Sequence, residues 1–211
     1  MTRLQKGLLI GAVIFLLLMG ACSAVFYFAV YRPIGSPMMA MATSYSLDER
    51  LTTKDFVRPG SGEVTAEQLR RFMAVEEVVE KIVGTDRTVL ADQQSVLEKA
   101  DKAGEISFDT ALAAFGAIKP MLMSAKPKQV EAMNTEHFSK KEFEWVRDQL
   151  YRAAGVPLSR VDVSDFFTGA ENPVVSVREL SAQEANAANL ALGRPIAAKL
   201  EAWRAFAFFG L

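Results

Sequence analysis

The longest apolar run of the chain lies near its start, where 24 consecutive residues from Gly7 to Val30 carry no charge. A bilayer core is crossed by roughly 20 helical residues, so this run predicts one transmembrane helix. Arg3 and Lys6 precede it and Arg32 follows. The positive-inside rule therefore predicts that residues 1–6 are cytoplasmic. We expect a single-pass inner-membrane protein whose main domain is periplasmic or otherwise extracytoplasmic.

A second interpretation of the same run is a lipoprotein signal peptide. Met19-Gly20-Ala21-Cys22 resembles a lipobox, which would make Cys22 a lipidation site. Met replaces the usual Leu three positions before the cysteine, and the apolar stretch 23–30 follows where a lipoprotein normally has a polar tether. An uncleaved anchor is the leading prediction, with lipidation or simple cleavage as alternatives. All three deliver the domain to the same side of the membrane.

Residues 31–63 show no hydrophobic period and are rich in Pro, Gly, Ser and Thr. Such a composition is typical of a flexible tether. Periodic apolar positions begin after it, so the sequence predicts one domain over residues 64–211.

Two segments of this domain carry complete helix punctuation. Thr65 and Gln68 have the spacing of a capping box, an apolar stripe follows, and Gly84 can end the helix. Ser139 and Glu142 repeat the box, and Gly155 supplies the stop. Both segments are predicted as amphipathic helices.

The remaining helices are predicted from weaker signals. One runs from about Thr88 to Ala103, and another from Ser107 to about Lys119, where Pro120 would kink or end it. A third capping box at 181–184 opens an alanine-rich segment. That segment ends at Gly193.

Pro195 suits the first turn of a last helix, which reaches about Phe209. Two-residue alternation is absent apart from the short run Val174–Val177. The predicted fold class is therefore all-α, with five or six helices in the soluble domain.

Charge and cysteine content exclude several classes of protein. From Pro33 onward 21 basic and 25 acidic residues give a net charge of −4. A domain with this charge does not attract the phosphate backbone of a nucleic acid, so we expect no nucleic-acid partner. Cys22 is the single cysteine and lies in the apolar run. Intrachain disulfides and cysteine-based metal clusters are therefore excluded.

Candidate catalytic chemistry is sparse. His137 is the only histidine and precedes a helix entrance, and no phosphate-binding loop, HExxH, GxSxG or EF-hand spacing occurs. Glu76 and Glu80 lie one turn apart, and we expect them to form a solvated edge beside Lys or Arg. The sequence predicts no catalytic residue, no metal ligand and no cofactor.

Two groups of aromatic residues indicate contact surfaces. Trp145 lies roughly opposite the apolar stripe of its helix, at about 100° per residue. The last turn of the chain is apolar on all sides and must be covered by the domain itself, by a partner or by lipid. The candidate interface residues are Trp145, Phe206, Phe208, Phe209 and Leu211.

The leading functional hypothesis is a non-enzymatic, membrane-anchored envelope protein that acts as a scaffold, assembly factor or accessory subunit through a protein partner. One alternative is a lipoprotein that binds a lipid or another hydrophobic ligand, for which a large cavity lined by Phe and Met would be diagnostic. Another is a cell-wall hydrolase, which requires two carboxylates from different elements in one cleft.

Overall fold

The fold is a mostly helical domain with one small sheet. The computed structural model describes residues 46–104, 106–162, 175–179 and 185–211, together with isolated positions before residue 46. Six helices and two strands lie in this part of the chain: α1 (Ala66–Val83), α2 (Arg87–Lys102), α3 (Phe108–Thr135), α4 (Lys140–Ala154), β1 (Ser159–Asp162), β2 (Ser176–Glu179), α5 (Ala187–Gly193) and α6 (Ala197–Phe208).

The predicted caps of α1 and α4 are confirmed. The Gln68 N–H donates to the Thr65 hydroxyl over 3.1 Å, and the Thr65 N–H donates to the Gln68 side chain over 3.0 Å. Ser139 accepts the Glu142 N–H over 3.1 Å, and Gly155 ends α4 in the left-handed conformation. Each bond satisfies a backbone or side-chain group that would otherwise lack a partner at a helix end.

The predicted end of a helix at Pro120 is wrong. Helix α3 continues through Pro120 and Pro127 to Thr135. Both prolines lie on its exposed face, so the carbonyl groups that they leave unpaired can bind water. Buried Ile118 and Leu122 hold the opposite face in the core. Burial on that face outweighs the low helix propensity of proline.

The C-terminal elements follow the prediction in part. Helix α5 has Asn186 as its N-cap, whereas the proposed capping box at 181–184 lies outside the described residues. Pro195 lies in the first turn of a short 3-10 helix, Arg194–Ile196, that leads into α6. The run around Val177 is strand β2, which pairs antiparallel with β1 in the register Val161 to Val177.

Helices α1, α3, α4 and α6 enclose the core. Helix α1 packs against α3, α4 and α6, while α5 lies along α4 and α2 contacts α3 and α6. Fully buried side chains from these elements meet at the centre, among them Phe72, Leu90, Ile118, Leu150 and Trp203. One contiguous apolar core therefore unites all the described helices except the short α5, whose Leu192 packs at its edge.

Residues 46–63, which we call the arm, lie against the helices. Leu47 and Leu51 belong to the core, and the ring of Phe56 lies 5.4 Å from that of Trp145. The Thr52 N–H donates to the Asn134 side chain over 2.8 Å. The second half of the predicted flexible tether is thus part of the domain, because three apolar anchors are interspersed among its Pro, Gly, Ser and Thr residues.

The predicted membrane segment 7–30, the predicted cytoplasmic segment 1–6 and Cys22 lie outside the described residues, apart from a few isolated positions. Within the part of the chain that is described, no helix combines the length and the apolar character needed to cross a bilayer.

Candidate functional site

The candidate interface residues are buried inside the domain. Trp145, Phe206, Phe208, Phe209 and Leu211 are each less than a tenth exposed. The arm covers Trp145, and the C-terminal turn is covered by its own domain. These five residues therefore form no exposed aromatic patch.

The C-terminal turn is held by helix α3. The ring of Phe209 lies 5.8 Å from that of Phe115 in an edge-to-face arrangement, and the ring of Phe208 lies 4.8 Å from that of Phe209. The Lys126 ammonium donates to the Gly210 carbonyl over 2.8 Å. These contacts hold the last residues against the domain rather than on an outer surface.

A cleft of about 440 Å³ opens between the arm, α3, α4, the two strands and the C-terminal turn. The apolar part of its lining, which we call the floor, consists mainly of side chains that are almost fully buried. The apolar lining includes Phe115, Leu122, Met133, Phe143, Phe208 and Phe209.

Charged side chains line the same cleft. The cations are Arg58, Lys126, Lys140, Arg147, Arg160 and Arg178, and the carboxylates are Asp48, Glu144, Asp148 and Asp162. Six positive against four negative side chains leave an excess of two positive charges. The cleft therefore has the opposite sign of net charge from the domain that contains it.

Ion pairs account for each of these carboxylates. Asp48 lies 3.1 Å from the Lys126 ammonium and 2.6 Å from that of Lys140. Arg160 pairs with Asp148 and lies 3.8 Å from Glu144. The remaining carboxylate, Asp162, lies 3.6 Å from Arg178.

Lys126 is a buried cation whose donors are all used. Its ammonium contacts Asp48, the Gln129 side chain at 2.9 Å and the Gly210 carbonyl at 2.8 Å. Burial lowers the pKa of Lys126, and Asp48 opposes this effect. Burial alone would raise the pKa of Asp48, but Lys126 and Lys140 outweigh it and hold that pKa below its ordinary value.

Arg147 differs from Lys126 in having no such partners. Its side chain is only 2% exposed and lines the cleft, with its Cζ atom 5.8 Å from the Phe143 ring centroid. No other residue of the described chain forms an ion pair or a hydrogen bond with its guanidinium, and its Nε is buried without an acceptor. A buried guanidinium in this state is costly unless another group supplies the acceptors.

Glu76 is not the solvated edge residue that its sequence position indicates. It is fully buried on the core face of α1, between Phe72 and Val79, and neither carboxyl oxygen has a hydrogen-bond partner. Burial raises the pKa of Glu76 to about 8, although Arg147 and Lys126 lower it. The carboxyl group is therefore mostly protonated at neutral pH.

The sequence contained a signal for these buried charges. Arg147 lies one turn after Phe143 on the apolar stripe of α4, and Lys126 lies one turn after Leu122 on that of α3. A charged residue at a core-facing helical position indicates a buried polar site. Periodicity analysis that records only apolar positions overlooks such residues.

His137 and the metal-ligand residue types add no second site. His137 is exposed and adopts φ of 55°, in the turn between α3 and α4. No group of three His, Cys, Asp or Glu side chains with metal-binding geometry occurs among the residues that the structure describes.

No protein-family model, curated protein or solved structure matches this chain significantly.

Proposed function

We propose that this chain is a membrane-anchored, non-enzymatic binding protein whose helical domain takes up a small amphiphilic molecule in the cleft. The observation that carries the proposal is the cleft of about 440 Å³, which is lined both by phenylalanine side chains and by charged side chains. This volume lies within the range of roughly 300–1,000 Å³ that is common for ligand sites. The apolar lining suits an apolar chain, and the charged side chains suit a polar head.

The burial of the aromatic residues favours this hypothesis over a scaffold role. The scaffold hypothesis depended on Trp145 and the C-terminal phenylalanines as contact surfaces, and these side chains are enclosed by the domain. Exposed apolar side chains such as Val57, Val96 and Met123 lie on separate segments. Scattered residues of this kind are normal on a monomer and need no partner.

The cleft also bears on the hydrolase alternative. Asp48, Glu144, Asp148 and Asp162 come from the arm, α4 and β1, so carboxylates from different elements do meet there. Each is paired with Lys or Arg, however, and an acid and a base for glycoside hydrolysis must be available to the substrate. The arrangement therefore favours binding over hydrolysis.

Residues 7–30 would hold the domain at the outer face of the inner membrane, where amphiphilic molecules are abundant. Lipidation of Cys22 would have the same effect with a different anchor. The intact mass of the purified protein separates the two: we expect the mass of the full chain. A mature chain that begins at a lipidated Cys22 would replace the helical anchor by a lipid anchor.

Calorimetric titration with octanoate and octan-1-ol tests the binding role. The full-length protein in lipid nanodiscs is compared with Val161→Trp, which places a large ring in the cleft, and with Val96→Trp, which adds the same ring to an exposed position on α2. Identical nanodiscs make it possible to subtract partitioning into lipid. We expect saturable binding of at least one probe to the wild type and to Val96→Trp, and none to Val161→Trp. Binding that Val161→Trp leaves unchanged, or no saturable binding, would overturn the proposal.

A further inference from the structure

The excess positive charge of the cleft is concentrated on two arginines. Asp48 pairs with both Lys126 and Lys140, which leaves one positive charge, and Arg160 pairs with both Asp148 and Glu144, which leaves one negative charge. These two charges offset each other, and Arg178 pairs with Asp162. This leaves Arg58 and Arg147, which form no ion pair with any described residue. Arg58 is exposed on the arm, so water and salt screen its charge.

Arg147 cannot be screened in the same way, because it is buried. Glu76 is the nearby carboxyl group on the core side, and the pKa of about 8 keeps it mostly uncharged at neutral pH. Asp148 is engaged by Arg160. The Lys126 ammonium is bound by three acceptors. None of these acceptors can bind Arg147 instead without breaking its contact with Lys126.

A guanidinium presents several N–H donors in one plane, in a geometry that matches two oxygens of a carboxylate or phosphate. A bound oxyanion would supply both the missing charge and an acceptor for the buried Nε of Arg147. Phe143, whose ring centroid lies 5.8 Å from the Arg147 Cζ, lines this cleft together with Phe208 and Phe209, so the cleft that holds the guanidinium also offers an apolar surface.

We propose that the ligand of the cleft is an organic anion, a carboxylate or phosphate on an apolar chain, whose acid group binds the guanidinium of Arg147 and whose chain lies on the phenylalanine floor. This inference rests on the proposed function and specifies the chemistry of its ligand. Arg147 is thus the specificity-determining residue of the site, and Arg58 contributes only long-range attraction.

The test compares matched probes on the full-length protein in nanodiscs. Octanoate and octan-1-ol share one apolar chain and differ in the acid group, and inorganic phosphate carries charge without a chain. We expect octanoate to bind about tenfold or more tightly than octan-1-ol, because a carboxylate brings an opposite charge and can accept two hydrogen bonds from the guanidinium, whereas the uncharged hydroxyl brings no charge. Inorganic phosphate should bind more weakly than octanoate.

Two variants locate the acid group. Arg147→Gln should weaken octanoate binding about tenfold or more and leave octan-1-ol binding within about twofold, while Arg147→Lys should recover part of the octanoate affinity. Arg58→Gln is the matched control, since it removes the other unpaired lining arginine, and it should change both affinities less than about threefold.

The outcomes separate this inference from the proposed function. If octanoate and octan-1-ol bind the wild type equally, and Val161→Trp abolishes both, the cleft binds ligands but does not select an anion, and the inference is wrong. This comparison needs no variant of Arg147 and therefore holds even if Arg147→Gln does not fold. If inorganic phosphate binds as tightly as octanoate, the apolar chain plays no part. If Arg58→Gln rather than Arg147→Gln removes the preference, the assignment to Arg147 fails.

Discussion

Glu76 places a carboxyl group in the apolar interior without a hydrogen bond from any described residue. The groups that act on it are Arg147, Lys126, Glu80 and, from α4, Tyr151, whose hydroxyl is also buried without a partner. Desolvation outweighs the attraction of the two cations, so the protonated form is favoured in the folded state. The stability of the domain must therefore depend on the ionisation of this one residue.

The sign of that dependence follows from linkage. The pKa of Glu76 rises from 4.5 to about 8 on folding. Its contribution to stability is fully present below pH 4.5 and is lost as the pH rises from 4.5 to 8, because the unfolded chain releases the proton first. The loss is at most about 1.4 kcal/mol per pH unit.

We predict that Glu76→Gln removes this loss. We expect the free energy of unfolding in urea to become larger for the variant than for wild type as the pH rises from about 5 to 8. The wild type loses stability over this range, whereas the amide of the variant does not ionise. Asp48 is not among the groups that act on Glu76, so its effect cancels in the difference. The exposed Glu131→Gln serves as a control and should follow wild type at every pH. If the difference in free energy of unfolding between Glu76→Gln and wild type stayed constant over this range, the pKa of Glu76 would not be raised by burial.

His137 illustrates a backbone constraint at a single residue. It has φ of 55°, in the left-handed region, where a side chain with a Cβ atom costs about 1 kcal/mol and glycine costs little. We predict that His137→Gly raises the free energy of unfolding by roughly 0.5–1 kcal/mol, whereas His137→Val lowers it. Octanoate binding should be unchanged, because His137 does not line the cleft. A less stable His137→Gly variant would show that the side chain itself stabilises the turn.

At the scale of the elements, the sequence predicted the ends that depend on local chemistry. Thr65, Ser139 and Gly155 act through bonds to residues within one turn, so their spacing alone identifies them. The course of α3 past Pro120 depends on tertiary burial, which no local pattern contains. Asn186 as a cap is an intermediate case, since its amide accepts the Asn189 N–H over 2.8 Å, but a competing capping box precedes it.

Close packing of α5 on α4 depends on one glycine. A Cβ atom at Gly193 would lie 2.7 Å from the Ala153 Cβ and 2.9 Å from both the Ala154 nitrogen and the Leu150 carbonyl oxygen. Two of these are backbone atoms of α4, which cannot move without the helix. The short α5 can approach α4 this closely only because residue 193 has no side chain.

We predict that Gly193→Ala lowers the free energy of unfolding by about 1–3 kcal/mol, the usual cost of overpacking. Gly60→Ala is the control, since a Cβ atom there would meet nothing within 4 Å, and it should change stability by less than about 0.5 kcal/mol. Thermal unfolding of the two variants checks the comparison. Equal melting temperatures would mean that α5 can move away from α4 at little cost.

At the scale of the whole molecule, the cleft joins segments that are far apart in the chain. Asp48 comes from the arm, Lys126 from α3, Arg147 from α4, Val161 from β1 and Phe209 from the C-terminal turn. Sequence analysis could identify most of the helices and the need to cover the terminal aromatic residues. It could not predict which segments meet, because that depends on packing between elements rather than on spacing within them.

The arm provides the clearest test of this long-range assembly. Leu51 is 3% exposed and packs into the core, whereas Val57, six residues later in the same segment, is 88% exposed. We predict that Leu51→Ala in the full-length chain lowers the free energy of unfolding by about 2–5 kcal/mol, as deletion of a buried leucine usually does. Val57→Ala should have an effect within about 0.5 kcal/mol. For a domain of this size each kcal/mol corresponds to a shift in Tm of roughly 2–4 °C, so thermal unfolding distinguishes the two variants.

If Leu51→Ala and Val57→Ala melt together with wild type, residues 46–63 behave as the flexible tether that their composition indicates. The domain would then begin near residue 64, and the cleft would lose the wall that carries Asp48.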